Sequence, residues 1–290
     1  MDIRQSENYA RYLEALGWIV ERADGSNVFI KKLPLLRFLS VVKIQRPPAS
    51  IGLPTILYIV RKYHPILIKF EPDNNSQFAI PRQARDCPEQ SRRTIPNSQF
   101  HQDNWPLLPT KTIIIDLGGT IWENLPKDTR YEIRKARENK LESRESDDIE
   151  TFYQILRETM RIGGWSVPLK KEVIAVYRTF SPAHSSILLT YCPADLLPVS
   201  GCLLIWEGDT AHYIYAANTA RGRRLGAAYL TLFEAINFCR QKRLRYLDLE
   251  GIYDERYPQT TKSWRGFTKF KEGWGGKTIK YPGSFVKYFF

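Results

Sequence analysis

One stretch narrows the fold more than any other: YIYAANTARGRRLGAAYLTLFEAINFCRQKRLRYLDLEG, residues 213–251. It reads as a strand, a basic glycine-containing turn, a helix with Leu225, Tyr229, Leu232 and Ile236 on its buried face, and a second strand. A chain committed to strand–loop–helix–strand here must build a mixed α/β sheet. The turn holds Arg223, Gly226 and Ala228 at the head of the helix. That pattern suits an anion bound by backbone N–H groups, and it equally suits a plain helix start with small residues for close packing.

The remaining chain repeats this mixture. Tyr9, Tyr12, Leu13 and Leu16 are spaced for an amphipathic helix over 7–17, and NVFIKK, LSVVKI and ILIKF follow as short strands. Residues 82–105 are polar and aperiodic and read as a long loop. TKTIIIDL is a buried strand. After it, Thr129 and Glu132 have capping-box spacing, and Arg130, Arg134 and Arg137 share one face of the helix that follows. Another helix is marked by Ile149, Phe152, Tyr153 and Leu156, and strands are expected near 186–191, 199–206 and 211–217. A two-fold duplication of an α/β unit is consistent with this order but is not demonstrable from the sequence.

Composition bounds the partners. Lys plus Arg is 43 against 31 for Asp plus Glu, a net charge of +12, which points to nucleic acid, a phosphorylated substrate or an acidic membrane surface. The polar, helix-patterned start is not a signal peptide, and runs such as IGLPTILYIV are too short to span a bilayer. The cysteines (Cys87, Cys192, Cys202, Cys239) and the histidines (His64, His101, His184, His212) lack metal-ligand spacing. A cytoplasmic protein with reduced thiols and no metal is the expectation.

Several motifs carry two readings. IDLGGT (115–120) looks like a sugar-kinase phosphate loop, but the further motifs of such kinases are missing, and a strand end is the better account. Tyr213 and Tyr215 alternate onto one strand face, with His212 opposite them and structural. Asp248 and Glu250 share a face and suit an acid/base pair, a turn cap or arginine partners. Cys202 and Cys239 sit in apolar patterns as core thiols. FTKFKEGWGGK (267–277) alternates like a strand ended by glycines; read chemically, it holds a lysine beside aromatic rings where an oxyanion would be stabilised.

Taken in order, these segments resemble a known family. Arg223-x-x-Gly226-x-Ala228 is similar to the R-x-x-G-x-A loop of GNAT-type acyltransferases. Gln5-Ser6-x-x-Tyr9, ILIKFEP (66–72), TIIIDLGGTIWENLPKDTRYEIRKA, YIYAA, YLDLEG and FTKFKEGWGG resemble, along nearly the whole chain, the markers of the FemABX aminoacyltransferases of peptidoglycan cross-bridge synthesis. The resemblance implies an α/β fold of two tandem GNAT-like halves with a cleft between them. The first half would span 1–117, with 279–290 returning to it, and the second 118–278. It implies transfer of an amino acid from aminoacyl-tRNA, as donor substrate and with no other cofactor, to the stem-peptide amine of a UDP-linked or lipid-linked peptidoglycan precursor.

On that resemblance Lys271 and Phe270 fall on the catalytic pair, with Lys271 stabilising the oxyanion. Arg11, Glu71, Tyr215 and Lys269 fall among substrate-binding positions. Arg223, Gly226, Arg130, Arg134 and Arg137 would meet phosphate, tRNA or CoA, beside Arg221, Arg224, Lys242 and Arg243. The family's R-P-x-x-Y arginine is replaced by Val167, with Lys170 or Lys171 as substitutes. A peripheral contact with the inner membrane surface is a further expectation. An acyl-CoA-dependent N-acyltransferase of the same fold is the alternative, and a nonenzymatic RNA- or membrane-binding module is a third class.

Overall fold

The structure, a computed structural model, describes residues 2–74 and 100–289. Most of the loop expected at 82–105, and Cys87 within it, lies outside the described residues. The chain forms two compact units, Met1–Thr110 with Lys280–Phe290, and Lys111–Ile279.

The first unit is a six-stranded sheet in the order β1-β2-β3-β4-β13-β5. Its strands are β1 (Ile19–Ala23), β2 (Ser26–Lys32), β3 (Ser40–Gln45), β4 (Pro65–Glu71), β5 (His101–Asp103) and the C-terminal β13 (Ser284–Tyr288). Helix α1 (Glu7–Ala15) starts where Ser6 accepts the Tyr9 N–H. Helix α2 (Leu53–Tyr63) is the crossover that lets β3 and β4 run parallel, paired from Ser40–Pro65 through Gln45–Glu71. Val28, Ile30, Val42, Ile44, Ile59, Ile68 and Phe70 form its core. Buried Arg46 closes the unit. It pairs with Asp2 Oδ2 (2.9 Å), donates to Pro109 O (2.7 Å) and lies 3.5 Å from the Tyr281 ring centroid.

The second unit is a seven-stranded sheet, β12-β6-β11-β10-β9-β8-β7. Its strands are β6 (Lys111–Asp116), β7 (Glu142–Ser146), β8 (Ser185–Tyr191), β9 (Pro198–Glu207), β10 (Thr210–Asn218), β11 (Tyr246–Gly251) and β12 (Lys277–Lys280). Strand β6, placed at the end of the first half by the sequence reading, pairs with β11 here. A core of Ile113, Ile115, Leu204, Tyr213, Leu232, Ile236, Leu247 and Leu249 covers one face of this sheet. Cys202 and Cys239 are buried in it as core thiols, and burial pushes the Cys239 thiol up to about 12.

Helices α3 (Ile121–Asn124), α4 (Lys127–Glu138), α5 (Ile149–Ile162), α6 (Lys170–Phe180), α7 (Ala220–Leu225), α8 (Ala227–Gln241), α9 (Pro258–Thr261) and α10 (Arg265–Glu272) complete this unit. Helix α4 begins after Pro126, so Thr129 lies inside its first turn and is no N-cap. Its hydroxyl donates instead to Gly273 O (2.7 Å), which ties α4 to the turn after α10.

The two sheets share a plan. Strands β1-β2-β3, α2, the parallel β4 and then antiparallel β13 match β8-β9-β10, α8, the parallel β11 and then antiparallel β6. The duplication that the sequence only allowed is therefore visible in topology.

Candidate active site at the fork of two parallel strands

The parallel pair of the second unit differs from that of the first. Strands β10 and β11 pair only from Thr210–Tyr246 to His212–Asp248 and then part. Two irregularities accompany the parting. In β10 the register against β9 shifts between Tyr213 and Tyr215, which sit opposite the successive residues Leu204 and Leu203. Successive strand residues face opposite sides, so Tyr213 enters the core while Tyr215 turns to the face of His212. The period-two reading had put the two tyrosines together with His212 opposite, and the bulge at Ile214 overturns it. In β11 the register against β6 shifts between Asp248 and Gly251, and Glu250 takes φ 59°, a backbone region that side chains other than glycine seldom adopt.

These distortions gather polar groups. His212 Nδ1 lies 2.8 Å from Glu250 Oε1 and 3.9 Å from Asp248 Oδ2. A carboxylate only accepts, so Nδ1 carries the proton. Asp248 Oδ1 accepts the Glu250 N–H (2.7 Å) and the Thr112 hydroxyl, which also reaches Glu250 O. The ligand atoms of His212, Asp248 and Glu250 fall within 4.8 Å of one another, a spacing that suits a divalent cation. The same two carboxylates act on the ammonium of Lys271, favouring its charged form.

Lys271 is on α10. The FTKFKE segment is a helix and not the strand its alternation suggested. Phe267, Phe270, Lys271 and Trp274 recur at helical spacing, a signal that the period-two pattern masked. Phe270 turns into the core, its ring 4.9 Å from that of Tyr229 and 6.1 Å from that of Trp274. Lys271 follows it on α10. Its ammonium donates to Gly251 O at the β11 irregularity (2.8 Å) and lies 4.9 Å from the Phe267 ring centroid. Thr268 pins the helix there by accepting the Tyr253 N–H (2.8 Å). The residue as a whole is only partly buried, yet its ammonium is enclosed. Burial pulls it down from 10.5 to about 8, against the pull of Glu250 and Asp248, which favour the charged form. A ring cluster of Trp165, Trp264 and Phe267 adjoins it.

The other expected site residues are placed as follows. Tyr215 is partly exposed on the His212 face. Lys269 is exposed on α10. In the first unit, Arg11 is exposed on α1 and pairs with Glu7 (3.3 Å). Glu71 is buried there and clamps a loop. Its Oε1 accepts from Leu107 N (2.6 Å) and Leu108 N (2.8 Å), and its Oε2 from Gln45 Nε2 (3.1 Å). That is a structural duty, which the sequence reading did not foresee.

The R-x-x-G-x-A segment has coiled into α7. Gly222 N–H donates to Thr219 Oγ1 (3.0 Å), Arg223 N–H to Thr219 O (3.0 Å) and Gly226 N–H to Arg223 O (3.4 Å). Arg134 and Arg137 on α4, Arg223 and Arg224 on α7, and Lys242 and Arg243 after α8 are exposed. Arg137 is shared with Glu234 (3.3 Å), Arg221 pairs with Asp195, and Arg130 is partly buried. Lys170 pairs with Glu150 (2.6 Å), while Lys171 is exposed. No helix among the described residues is long and apolar enough to cross a membrane.

Comparison with known proteins fits this geometry. The model of the FemAB family matches residues 188–289, the span that contains β10, β11 and α10. FemX is similar in structure over 99% of this chain and 92% of its own, with TM-score 0.73 at 15% identity. The C-terminal domain (DUF2156) of a putative lysylphosphatidylglycerol synthetase from Agrobacterium fabrum aligns over 99% of this chain and 88% of its own (TM-score 0.60, 11% identity). L-PGS from Bacillus licheniformis aligns over 96% and 86% (TM-score 0.59, 10% identity). No curated protein sequence matches the chain. The FemAB family model thus lies over the forked strands and α10, and the mixed α/β fold of the chain is similar to that of FemX along the length of the molecule.

Proposed function

We propose that this protein is an acyltransferase that moves an amino acid from aminoacyl-tRNA to the stem-peptide amine of a peptidoglycan precursor. The observation that carries the reading is the enclosed ammonium of Lys271 on the Gly251 carbonyl, where β10 and β11 part. The acceptor nitrogen bonds to the ester carbonyl carbon, and the carbonyl electron pair moves onto oxygen. An ammonium fixed in a dry site stabilises that charge more in the transition state than in the ground state. Collapse then breaks the bond to the ribose oxygen, which takes up the proton that the amine gives away. The ester is already activated, so no covalent nucleophile is required, and alignment with charge stabilisation is the main task. Exposed Arg134, Arg137, Arg223, Arg224, Lys242 and Arg243 suit the phosphates of a tRNA acceptor end.

The acyl-CoA alternative draws less support, because the amides of Gly222, Arg223 and Gly226 are already bonded within α7 and its cap. The deciding experiment supplies a soluble UDP-linked precursor with either aminoacyl-tRNAs or acyl-CoAs and follows the acceptor mass. An amino-acid increment from tRNA that Lys271→Met reduces about 10²- to 10³-fold, as loss of one oxyanion donor does, is the expected result. An acyl increment from CoA would replace this reading with the alternative.

A further inference from the structure

The connection between β2 and β3 is unlike the rest of the first unit's surface. Its sequence, LPLLRFL (33–39), is apolar at nearly every position. The backbone is closed on itself, Leu33 N–H on Leu39 O (3.1 Å) and Leu39 N–H on Leu36 O (2.8 Å), so the tip is held in shape. It nevertheless buries little. Leu35 is 97% exposed, Phe38 63% and Leu36 48%. Large apolar side chains held outward side by side mark an interaction site, whereas scattered single ones would need no account.

Charge says what the tip fits. Arg37 is exposed at the tip itself. Lys32, at the end of β2, lies beside the Tyr63 ring (5.3 Å). The C-terminal turn of α2 is tied to the start of β3, Ser40 N–H to His64 O (3.2 Å) and Ser40 Oγ to Tyr63 O (2.7 Å). Exposed Arg61 lies in that same last turn of α2. The result is an apolar point with a basic collar on a chain of net charge +12. A second copy would bring collar against collar and repel. An anionic lipid surface would attract the collar electrostatically and accept the leucines and phenylalanine at the headgroup–acyl boundary.

We propose that the β2–β3 tip is a membrane-insertion point that docks this protein on anionic bilayers, with Leu35, Leu36 and Phe38 entering the interface and Arg37 and Arg61 meeting lipid phosphates. This does not rest on the transferase reading, which is tested with a soluble acceptor and Lys271. Flotation with vesicles of phosphatidylcholine alone or mixed with phosphatidylglycerol tests it. The protein is expected to float with the mixed vesicles only, and less at high salt. The Leu35→Ser, Phe38→Ser double variant is expected to bind at least about tenfold more weakly, given the apolar area withdrawn. Because both side chains are exposed, the variant keeps its fold, checked by its melting temperature. Equal binding of variant and parent would overturn the proposal in favour of diffuse surface charge. Absence of binding to the mixed vesicles, or self-association without lipid that the double variant abolishes, would overturn it as well.

Discussion

At the scale of single residues, Lys271 is where burial and charge oppose each other. Its ammonium titrates near 8 instead of 10.5, because burial outweighs the attraction of Glu250 and Asp248. The unfolded chain therefore binds a proton that the native one has released between those values, and Lys271 makes stability rise as pH climbs from about 8 to 10.5. The oxyanion role needs the charged form. Transfer is thus expected to fall as pH passes about 8. A lysine acting as general base would show the reverse limb. Glu250→Gln removes a charge that favours the ammonium, so the falling limb should move to lower pH, read from kcat/KM profiles of both proteins; an unmoved limb would detach Glu250 from Lys271. The lysine itself was legible through the family's markers. Asp248 and Glu250 were legible as a pair, but their meeting with His212 and the face of Tyr215 were not, because the bulge at Ile214 and the left-handed Glu250 break the alternation from which strand faces are read.

At the scale of elements, strand positions and amphipathic helices followed from periodicity, as in β2, β3, β4, α5 and α8. Periodicity failed where two periods compete over few residues, in α10, and where a tertiary partner outbids a local one, as Gly273 O does for the Thr129 hydroxyl. The glycines of α7 illustrate a packing demand invisible in a motif. A Cβ on Gly222 would stand 2.3 Å from Val199 O and 2.4 Å from Asn218 Oδ1, and a Cβ on Gly226, at φ 73°, 3.0 Å from Glu132 O. Within the R-x-x-G-x-A pattern, Gly226 thus also meets a packing demand, the close approach of α4 to the start of α8. Gly222→Ala is expected to cost about 2 kcal/mol or more, by overpacking against backbone that cannot retreat, as a lowered denaturant midpoint with unchanged slope.

At the scale of the whole molecule, the two units repeat one topology and diverge where chemistry is expected. In the first, β3 and β4 stay paired to Gln45–Glu71, and the buried carboxyl of Glu71 holds a loop. In the second, the corresponding strands part after His212–Asp248, and polar side chains line the gap. Duplication followed by opening of one copy accounts for a single fork in a doubled fold among the described residues. Deleting 280–290 should abolish cooperative unfolding of the first unit while the sheet of Lys111–Ile279 survives, as hydrogen exchange followed by fragment would report; retained protection in β4 would count against it.

Strand β13 lies between β4 and β5 at the heart of the first sheet, although it follows the entire second unit in sequence. Growth of the nascent chain thus runs against the order of completion. The part made first stays an open sheet, with the edge of β4 unpaired, until β13 has been made, while the part made second has all its strands in hand earlier. For the length of that wait, the N-terminal segment is the portion of this protein most in need of a chaperone.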